Sequence, residues 1–153
     1  MIQTYIICFS LLFFVLSANA QSINPDYDST LAKSLNANDN GMKSYFFVIL
    51  KSGNNTSKDK TLIDSVFKGH MQNINRLAEN GTLVLAGPFG DNEKNYRGLY
   101  IFNAKDIDEV KELVDTDPAV IAKFLEPEIY PWYGSAAIQE ITKLHNKISK
   151  YKF

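Results

Sequence analysis

The order in which strand-like and helix-like segments alternate is the feature that most restricts the fold of this chain. Four segments are continuously apolar or nearly so and read as strands: 44–50, 82–86, 98–102 and 124–132. Two segments repeat their apolar residues at helical spacing: a long one at 59–79 and a short one that opens at Asp106. The predicted order is therefore strand, helix, strand, strand, helix, strand.

That order is the split βαβ arrangement of a ferredoxin-like α+β fold, with a four-stranded antiparallel sheet and two helices on one face. The first and third strands are central in this topology, and the first and third runs are the most continuously apolar. Pro127 and Pro131 place the last strand at an edge, because neither can donate to a ladder. The two helices leave the apolar residues on the other face of the sheet exposed to water. Because burial of this face is favourable, we expect a homodimer in which two sheets pack face to face.

The N-terminal segment has the pattern of an export signal. Residues 1–20 carry no charged side chain, and the apolar run at 6–16 is too short to cross a bilayer stably. Ala18 and Ala20 are small residues at the positions that a signal peptidase reads, which predicts cleavage before Gln21. We therefore expect a signal peptide and a periplasmic or secreted protein. The alternative is a buried N-terminal helix.

The remainder of the chain divides into three parts. Residues 21–42 form a polar extension or linker, in which large apolar residues recur every four positions and favour a short docking helix. Residues 43–134 contain the strands and helices of the predicted domain. Residues 135–153 are a C-terminal helical extension with apolar residues along one side.

Composition excludes several classes of function. The chain has 153 residues, one cysteine, two histidines and a net charge of −1. One cysteine excludes a disulfide framework, a cysteine-held iron–sulfur cluster and a zinc finger, and the charge shows no sign of a nucleic-acid binder. Phosphate-binding glycine loops and the serine nucleophile elbow are also absent from the sequence. We therefore expect no cofactor, no metal and no nucleic-acid partner.

A series of short motifs lies between Lys43 and Tyr133. They are Gly69-His70, Gly81-Thr82-Leu83, Ala86-Gly87-Pro88, Gly98, Asp117-Pro118 and Pro131-Trp132. This set resembles the YciI-like, or YCII-related, family of small dimeric α+β barrel proteins. The resemblance implies two ferredoxin-like sheets joined into a barrel. It also implies a His–Asp active site for lyase- or hydrolase-type chemistry on small molecules, and one branch is similar to enzymes that remove chloride from chlorinated hydroquinones.

His70 is the first candidate for chemistry. It lies on the apolar stripe of the long helix, between Phe67 and Ile74, so its imidazole should face the sheet. A buried imidazole needs a hydrogen-bond partner, because an unsatisfied buried polar group costs about 1–3 kcal/mol. A backbone carbonyl as partner would make His70 a core residue, whereas an acidic side chain would make it a general acid/base.

Asp117 is the acidic residue that the resemblance assigns to His70. Together they form the expected catalytic pair, in which the carboxylate fixes the tautomer of the ring. An aspartate before Pro118 is also an ordinary helix N-cap, so the sequence leaves capping and pairing open. Asp115 is a nearby carboxylate that could substitute for Asp117, and we rank it lower.

Four further residues form the expected substrate-binding set: Gly87, Pro88, Phe89 and Trp132. Gly87 would let a ligand approach the backbone, and the aromatic rings of Phe89 and Trp132 would wall the pocket. The alternatives are turn chemistry for the three consecutive residues and simple packing for Trp132.

Two functions remain open at this point. The first is an exported enzyme in which His70 and Asp117 perform acid/base chemistry on a small cyclic or unsaturated molecule. The second is a non-catalytic module that binds a small ligand in the same cleft, or another protein through its extensions. The partner of His70 discriminates between them, since a ring capped by a backbone carbonyl would favour binding without catalysis.

Overall fold

The computed structural model describes residues 24–150, so the predicted signal peptide at 1–20 lies outside the described residues. The described strands are β1 Met42–Ser52, β2 Leu83–Pro88, β3 Tyr96–Phe102 and β4 Leu125–Ser135. The described α-helices are α1 Ser29–Ser34, α2 Lys60–Glu79, α3 Ile107–Val114, α4 Pro118–Ile121 and α5 Ile141–Ile148. A 3-10 helix at Ala136–Glu140 precedes α5. Between residues 24 and 150, no helix is both long and apolar enough to cross a membrane.

The four strands form one antiparallel sheet in the order β2-β3-β1-β4. This α+β topology is ferredoxin-like, and it confirms the prediction from the order of elements. The two central strands are β1 and β3, and the proline-containing β4 lies at an edge, as expected. β1 extends beyond its apolar run at both ends, β3 begins two residues earlier than predicted, and β2 and β4 each begin one residue later and end two and three residues later, because strand pairing continues past the apolar runs.

The long helix α2 begins and ends where its sequence signals lie. The side chain of Asp59 accepts hydrogen bonds from the N–H groups of Thr61 and Leu62, which caps the first turn. The helix ends before Gly81, whose φ of +78° lies in the left-handed region that glycine adopts without strain. Leu77 is fully buried against the sheet, so the apolar stripe of the helix faces the core.

Two short helices, α3 and α4, complete the helical layer. Asp106 caps α3 by accepting from the N–H of Glu109, and the carboxylate of Glu109 accepts from the N–H of Lys105. Asp106 and Glu109 have the spacing of a capping box, and the structure contains this box with its return bond displaced by one residue. Asp117 caps α4, and Pro118 occupies the first turn, where its missing N–H costs nothing.

The main core lies between the helices and one face of the sheet, and a smaller cluster occupies the opposite face. The smaller cluster contains buried Tyr45, Val84 and Ile101, with Ile138 of the 3-10 helix packed against them. The expectation that the second face is wholly uncovered is therefore wrong at one end, where the C-terminal extension covers it. The reason is that the chain folds back after β4 and packs a half-buried isoleucine there.

The C-terminal extension differs from a single continuous helix. Ser135 caps the 3-10 helix by accepting from the N–H of Ala137, and α5 begins only at Ile141. The predicted apolar side does not pack along its whole length, since Leu144 is 58% exposed and Ile148 is 81% exposed. The 3-10 helix and α5 both contact β2, but Leu144 and Ile148 remain outside this packing.

The two extensions meet each other. The predicted docking helix in the N-terminal extension is α1, which leads into buried Leu35, whereas Leu31 remains exposed. The side-chain amide of Gln139 donates to the carbonyl of Leu35 at 2.8 Å, and the N–H of Ala136 donates to the carbonyl of Gly41 at 2.8 Å. The segments on either side of the sheet domain are thus joined by hydrogen bonds.

Candidate active site

His70 lies on the buried face of α2, above the central strand β3. Its side chain is 12% exposed, its ring contacts Phe67 edge-on at 5.7 Å, and it stacks on Tyr100 at 6.2 Å between centroids. The preceding Gly69 allows α2 to approach α4, because a Cβ there would lie 3.0 Å from the Pro118 side chain. The absence of a side chain at 69 therefore brings the imidazole close to the turn that carries Asp117.

Asp117 is placed by its role as a helix cap. It is 1% exposed, and its Oδ1 accepts from the N–H of Ala119 at 2.9 Å. The preceding Thr116 ties this turn to α2, since its hydroxyl donates to the side-chain oxygen of buried Asn73 at 3.0 Å. The Arg76 guanidinium donates to that same oxygen at 2.6 Å, which fixes the connection one turn beyond His70.

The structure brings His70 and Asp117 into direct contact. The ring Nδ1 lies 2.8 Å from Oδ2 and 3.0 Å from Oδ1 of the carboxylate. Capping and pairing, left as alternatives by the sequence, therefore occur together, because the two carboxylate oxygens receive different sets of donors. The partner of the ring is an acidic side chain and not a backbone carbonyl.

Tyr100 is a third member of the cluster and was not among the predicted site residues. It is 3% exposed, and its hydroxyl donates to Asp117 Oδ2 at 2.9 Å while lying 3.4 Å from His70 Nδ1. Strand alternation could have flagged it, because a tyrosine at an inward position of a central strand must find a hydrogen-bond partner. Spacing along the chain gives no such signal.

Several opposing influences set the ionisation of Asp117. Burial is the largest and by itself raises the pKa of this carboxyl group. The hydrogen bond and charge of His70 outweigh it, with help from the Ala119 N–H and the Tyr100 hydroxyl, so the pKa of Asp117 lies below its ordinary 3.8. The pKa of Tyr100 is raised by burial, then by the charge of Asp117 and the hydrogen bond to it. At neutral pH, Asp117 is ionised and Tyr100 keeps its proton.

The ionised state of Asp117 determines the tautomer of His70. An ionised carboxylate only accepts hydrogen bonds, so the ring nitrogen that contacts it must carry a proton. Nδ1 of the neutral ring is therefore N–H, and Nε2 carries the lone pair. Among residues 24–150, Nε2 of His70 has no hydrogen-bond partner. Because no fully buried side-chain polar atom in this part of the chain lacks a partner, Nε2 is partly exposed. The arrangement can take a proton at Nε2 and return it.

The expected substrate-binding residues are not all near this cluster. Trp132 packs on Tyr45 at 5.8 Å between ring centroids and shares the face of Ile101, opposite to the face that carries Tyr100. Within one chain, Trp132 and His70 therefore lie on different sides of the sheet. Asp115 is an exposed residue at the end of α3.

Gly87, Pro88 and Phe89 end β2 and enter the loop before β3. Phe89 contacts the ring of Tyr96 at 6.0 Å and lines a surface cavity of about 270 Å³. A second cavity, of about 240 Å³, lies beside Gly53 and Lys123. Neither cavity is lined by His70 or Asp117, and residues 24–150 contain no cluster of three or more His, Cys, Asp or Glu side chains that could hold a metal ion.

Comparisons with known proteins identify the family. Among solved structures, one neighbour is a 5-chloro-2-hydroxyhydroquinone dehydrochlorinase from Burkholderia phenoliruptrix, in complex with 2,5-dihydroxybenzoquinone. It is 22% identical, covers 57% of this chain and 92% of its own, and superposes with a TM-score of 0.41. No curated protein matches the chain. The family model for the YCII-related domain matches residues 45–133, more than half of the chain. The chain therefore belongs to the YCII-related domain family.

Proposed function

We propose that this protein is an enzyme of lyase or hydrolase type in which His70 is the general acid/base on a small organic molecule. Asp117 orients the ring and stabilises its protonated form. The observation that carries the proposal is the contact of His70 Nδ1, at 2.8 and 3.0 Å, with both oxygens of a buried carboxylate. A partly accessible imidazole held in one tautomer by an ionised carboxylate is suited to proton transfer near neutral pH.

The same geometry serves either reaction type. In an elimination, Nε2 takes a proton from carbon, the C–H electron pair forms a new double bond, and the leaving group departs with its bonding pair. In a hydrolysis, Nε2 takes a proton from water as the water oxygen attacks, and then returns that proton to the leaving group. In both cases the imidazolium formed lies beside the Asp117 carboxylate, which stabilises its charge.

Aromatic side chains around His70 support a planar or unsaturated substrate. Phe67 contacts the imidazole edge-on, and Phe124 packs on Phe67 at 6.0 Å between centroids. Aromatic rings offer a rigid apolar contact surface to a flat molecule. The chlorinated hydroquinone acted on by the structural neighbour is therefore a reasonable first probe.

The decisive experiment replaces His70 with alanine. We expect turnover to fall by about a hundredfold or more, because positioned acid/base groups contribute about that much. Chloride release from 5-chloro-2-hydroxyhydroquinone measures elimination, and release of p-nitrophenol from p-nitrophenyl acetate measures hydrolysis. His145→Ala is the matched control, since this second histidine lies on exposed α5 and should keep wild-type turnover.

Circular dichroism should show that both variants are folded. Unchanged turnover in His70→Ala would contradict the proposed role. A wild-type protein that binds these probes without converting them would instead favour the non-catalytic binding module.

We also propose that the chain is a homodimer that pairs the second faces of two sheets. The support is a set of apolar side chains on the second face that remain half-buried or exposed within one chain. Half-buried or exposed members of this set are Phe47, Ile49, Leu85, Leu99, Tyr130 and Trp132. Burying such a surface contributes roughly 25 cal/mol per Å² of apolar area.

Export is the last part of the proposal. It rests on the uncharged apolar segment at 1–20 and on Ala18 and Ala20 before the expected cleavage point. Sequencing the mature N-terminus from the exported fraction should give Gln21 as the first residue. An uncleaved chain in the cytoplasm would contradict this part alone.

A further inference from the structure

Tyr100 occupies the most rigidly held position in the cluster. Its strand pairs on both sides, with Val48 of β1 and with Ala86 of β2, so its backbone is fixed by two neighbours. Its ring packs edge-on against Phe102 at 5.6 Å and stacks under His70. The hydroxyl is therefore held in place by the centre of the sheet, whereas His70 and Asp117 come from a helix and a turn.

The hydroxyl of Tyr100 has one proton and two neighbours within reach. Asp117 Oδ2 lies at 2.9 Å and His70 Nδ1 at 3.4 Å. The carboxylate is the nearer and stronger acceptor, so the proton goes to Oδ2. Nδ1 itself lies 2.8 Å from this oxygen, so the tyrosine and the histidine both donate to one atom.

Four hydrogen-bond contacts, two at each oxygen, occupy the acceptor positions of the Asp117 carboxylate. Oδ1 faces the N–H of Ala119 and the ring of His70, and Oδ2 faces the same ring and Tyr100. A carboxylate surrounded by donors is held ionised and held in one rotamer. Removal of the Tyr100 hydroxyl would leave His70 as the sole donor to Oδ2 and would make protonation of Asp117 easier.

We propose that Tyr100 is a positioning residue whose hydroxyl holds Asp117 Oδ2 in place and keeps the carboxylate ionised, so that it only accepts hydrogen bonds. Proton transfer in the reaction is then confined to Nε2 of His70. This inference rests on the proposed function, because it assigns Tyr100 a role in the same proton-transfer site. Tyr100 does not itself act as acid or base, since its hydroxyl is buried and its proton is committed to Asp117.

Tyr100→Phe tests the inference because it removes one oxygen and keeps the ring. The readout is the carboxyl carbon resonance of Asp117, followed by NMR as the pH is lowered, which requires no substrate. In the variant, we expect the midpoint of this titration to move to higher pH. A merely structural role would change stability but would leave the midpoint where it is in the wild type.

Tyr45→Phe is the matched control. Tyr45 is also buried, and its hydroxyl also makes hydrogen bonds, to the carbonyls of Ser135 and Ala136 on the opposite face of the sheet. This variant should leave the Asp117 midpoint unchanged. An unchanged midpoint in Tyr100→Phe, or an equal shift in both variants, would overturn the inference.

A measurement on the wild-type protein covers the case in which Tyr100→Phe does not fold. The hydroxyl proton of Tyr100 should exchange slowly with water, and its resonance should move when Asp117 is protonated. A rapidly exchanging hydroxyl proton would overturn the inference. If these measurements contradict the role of Tyr100 while His70→Ala still loses turnover, only the role of Tyr100 is overturned. If turnover survives in His70→Ala, the proposed function is overturned.

Discussion

Replacing Asp117 with alanine is expected to lower the free energy of unfolding by about 3–5 kcal/mol, because it breaks a buried pair and leaves its partner behind. The loss has three components in the structure. The ring of His70, the hydroxyl of Tyr100 and the N–H of Ala119 each lose the acceptor that Asp117 provides. Chemical denaturation of the wild type and the variant measures the difference.

Asp59→Ala is the control for the capping component. Asp59 is also a helix N-cap, at the start of α2, where it accepts from two backbone N–H groups, but it is exposed at the helix end. Its replacement should cost about 1 kcal/mol, the ordinary value of a lost N-cap. Equal losses in the two variants would mean that Asp117 is only a cap and would contradict the pairing with His70.

The difference between the wild type and Asp117→Ala should also depend on pH. The pKa of Asp117 is lower in the folded state than its ordinary 3.8. The carboxylate therefore contributes its full stability above that ordinary value, and this contribution is lost as the pH falls through the folded-state pKa. We expect the gap between the two proteins to shrink in strong acid.

Replacing Phe47 with lysine is expected to separate the proposed dimer. Phe47 lies on central β1, opposite Ile101 and Tyr130 on the second face of the sheet. A dimer through this face would have to bury two unpaired ammonium groups, which costs several kcal/mol and weakens association by roughly a thousandfold or more. Sedimentation equilibrium should give twice the chain mass for the wild type and a single chain mass for this variant.

Ile121→Lys is the matched control for the dimer. Ile121 is 63% exposed at the end of α4, on the helical side of the sheet. The same charge added there should leave the dimer intact. A monomeric wild-type protein, or a dimer that survives Phe47→Lys, would contradict the proposed sheet-on-sheet assembly.

The fold could be predicted from the sequence because its signals are local. Apolar runs mark β1 and β3, and Asp59 and Gly81 mark the two ends of α2. Pro131 indicates that β4 lies at an edge of the sheet. These features depend on a residue and its near neighbours along the chain. The packing of the C-terminal extension is less predictable from the sequence. Ile138 packs on residues of β1, β2 and β3 that are distant in sequence, whereas Leu144 stays exposed.

The candidate site divides in the same way. The sequence and the family resemblance pointed to His70 and Asp117, but not to the fact that one carboxylate both caps α4 and holds the ring. Gly69 matters through the approach of α2 to Pro118, and Tyr100 matters through strand alternation and register, so neither role follows from the residue type alone. Trp132 fell on the other face of the sheet because its register places it opposite Tyr45.

The central claim is that ionised Asp117 fixes His70 with a proton on Nδ1 and a lone pair on Nε2. The most direct test is a two-dimensional ¹H–¹⁵N correlation spectrum of the imidazole nitrogens of His70, recorded at a pH where the ring is neutral, with His145→Ala to remove the second histidine. The account predicts that Nδ1 is the protonated nitrogen in the wild type. A ring protonated on Nε2, or an even mixture of the two tautomers, would contradict it.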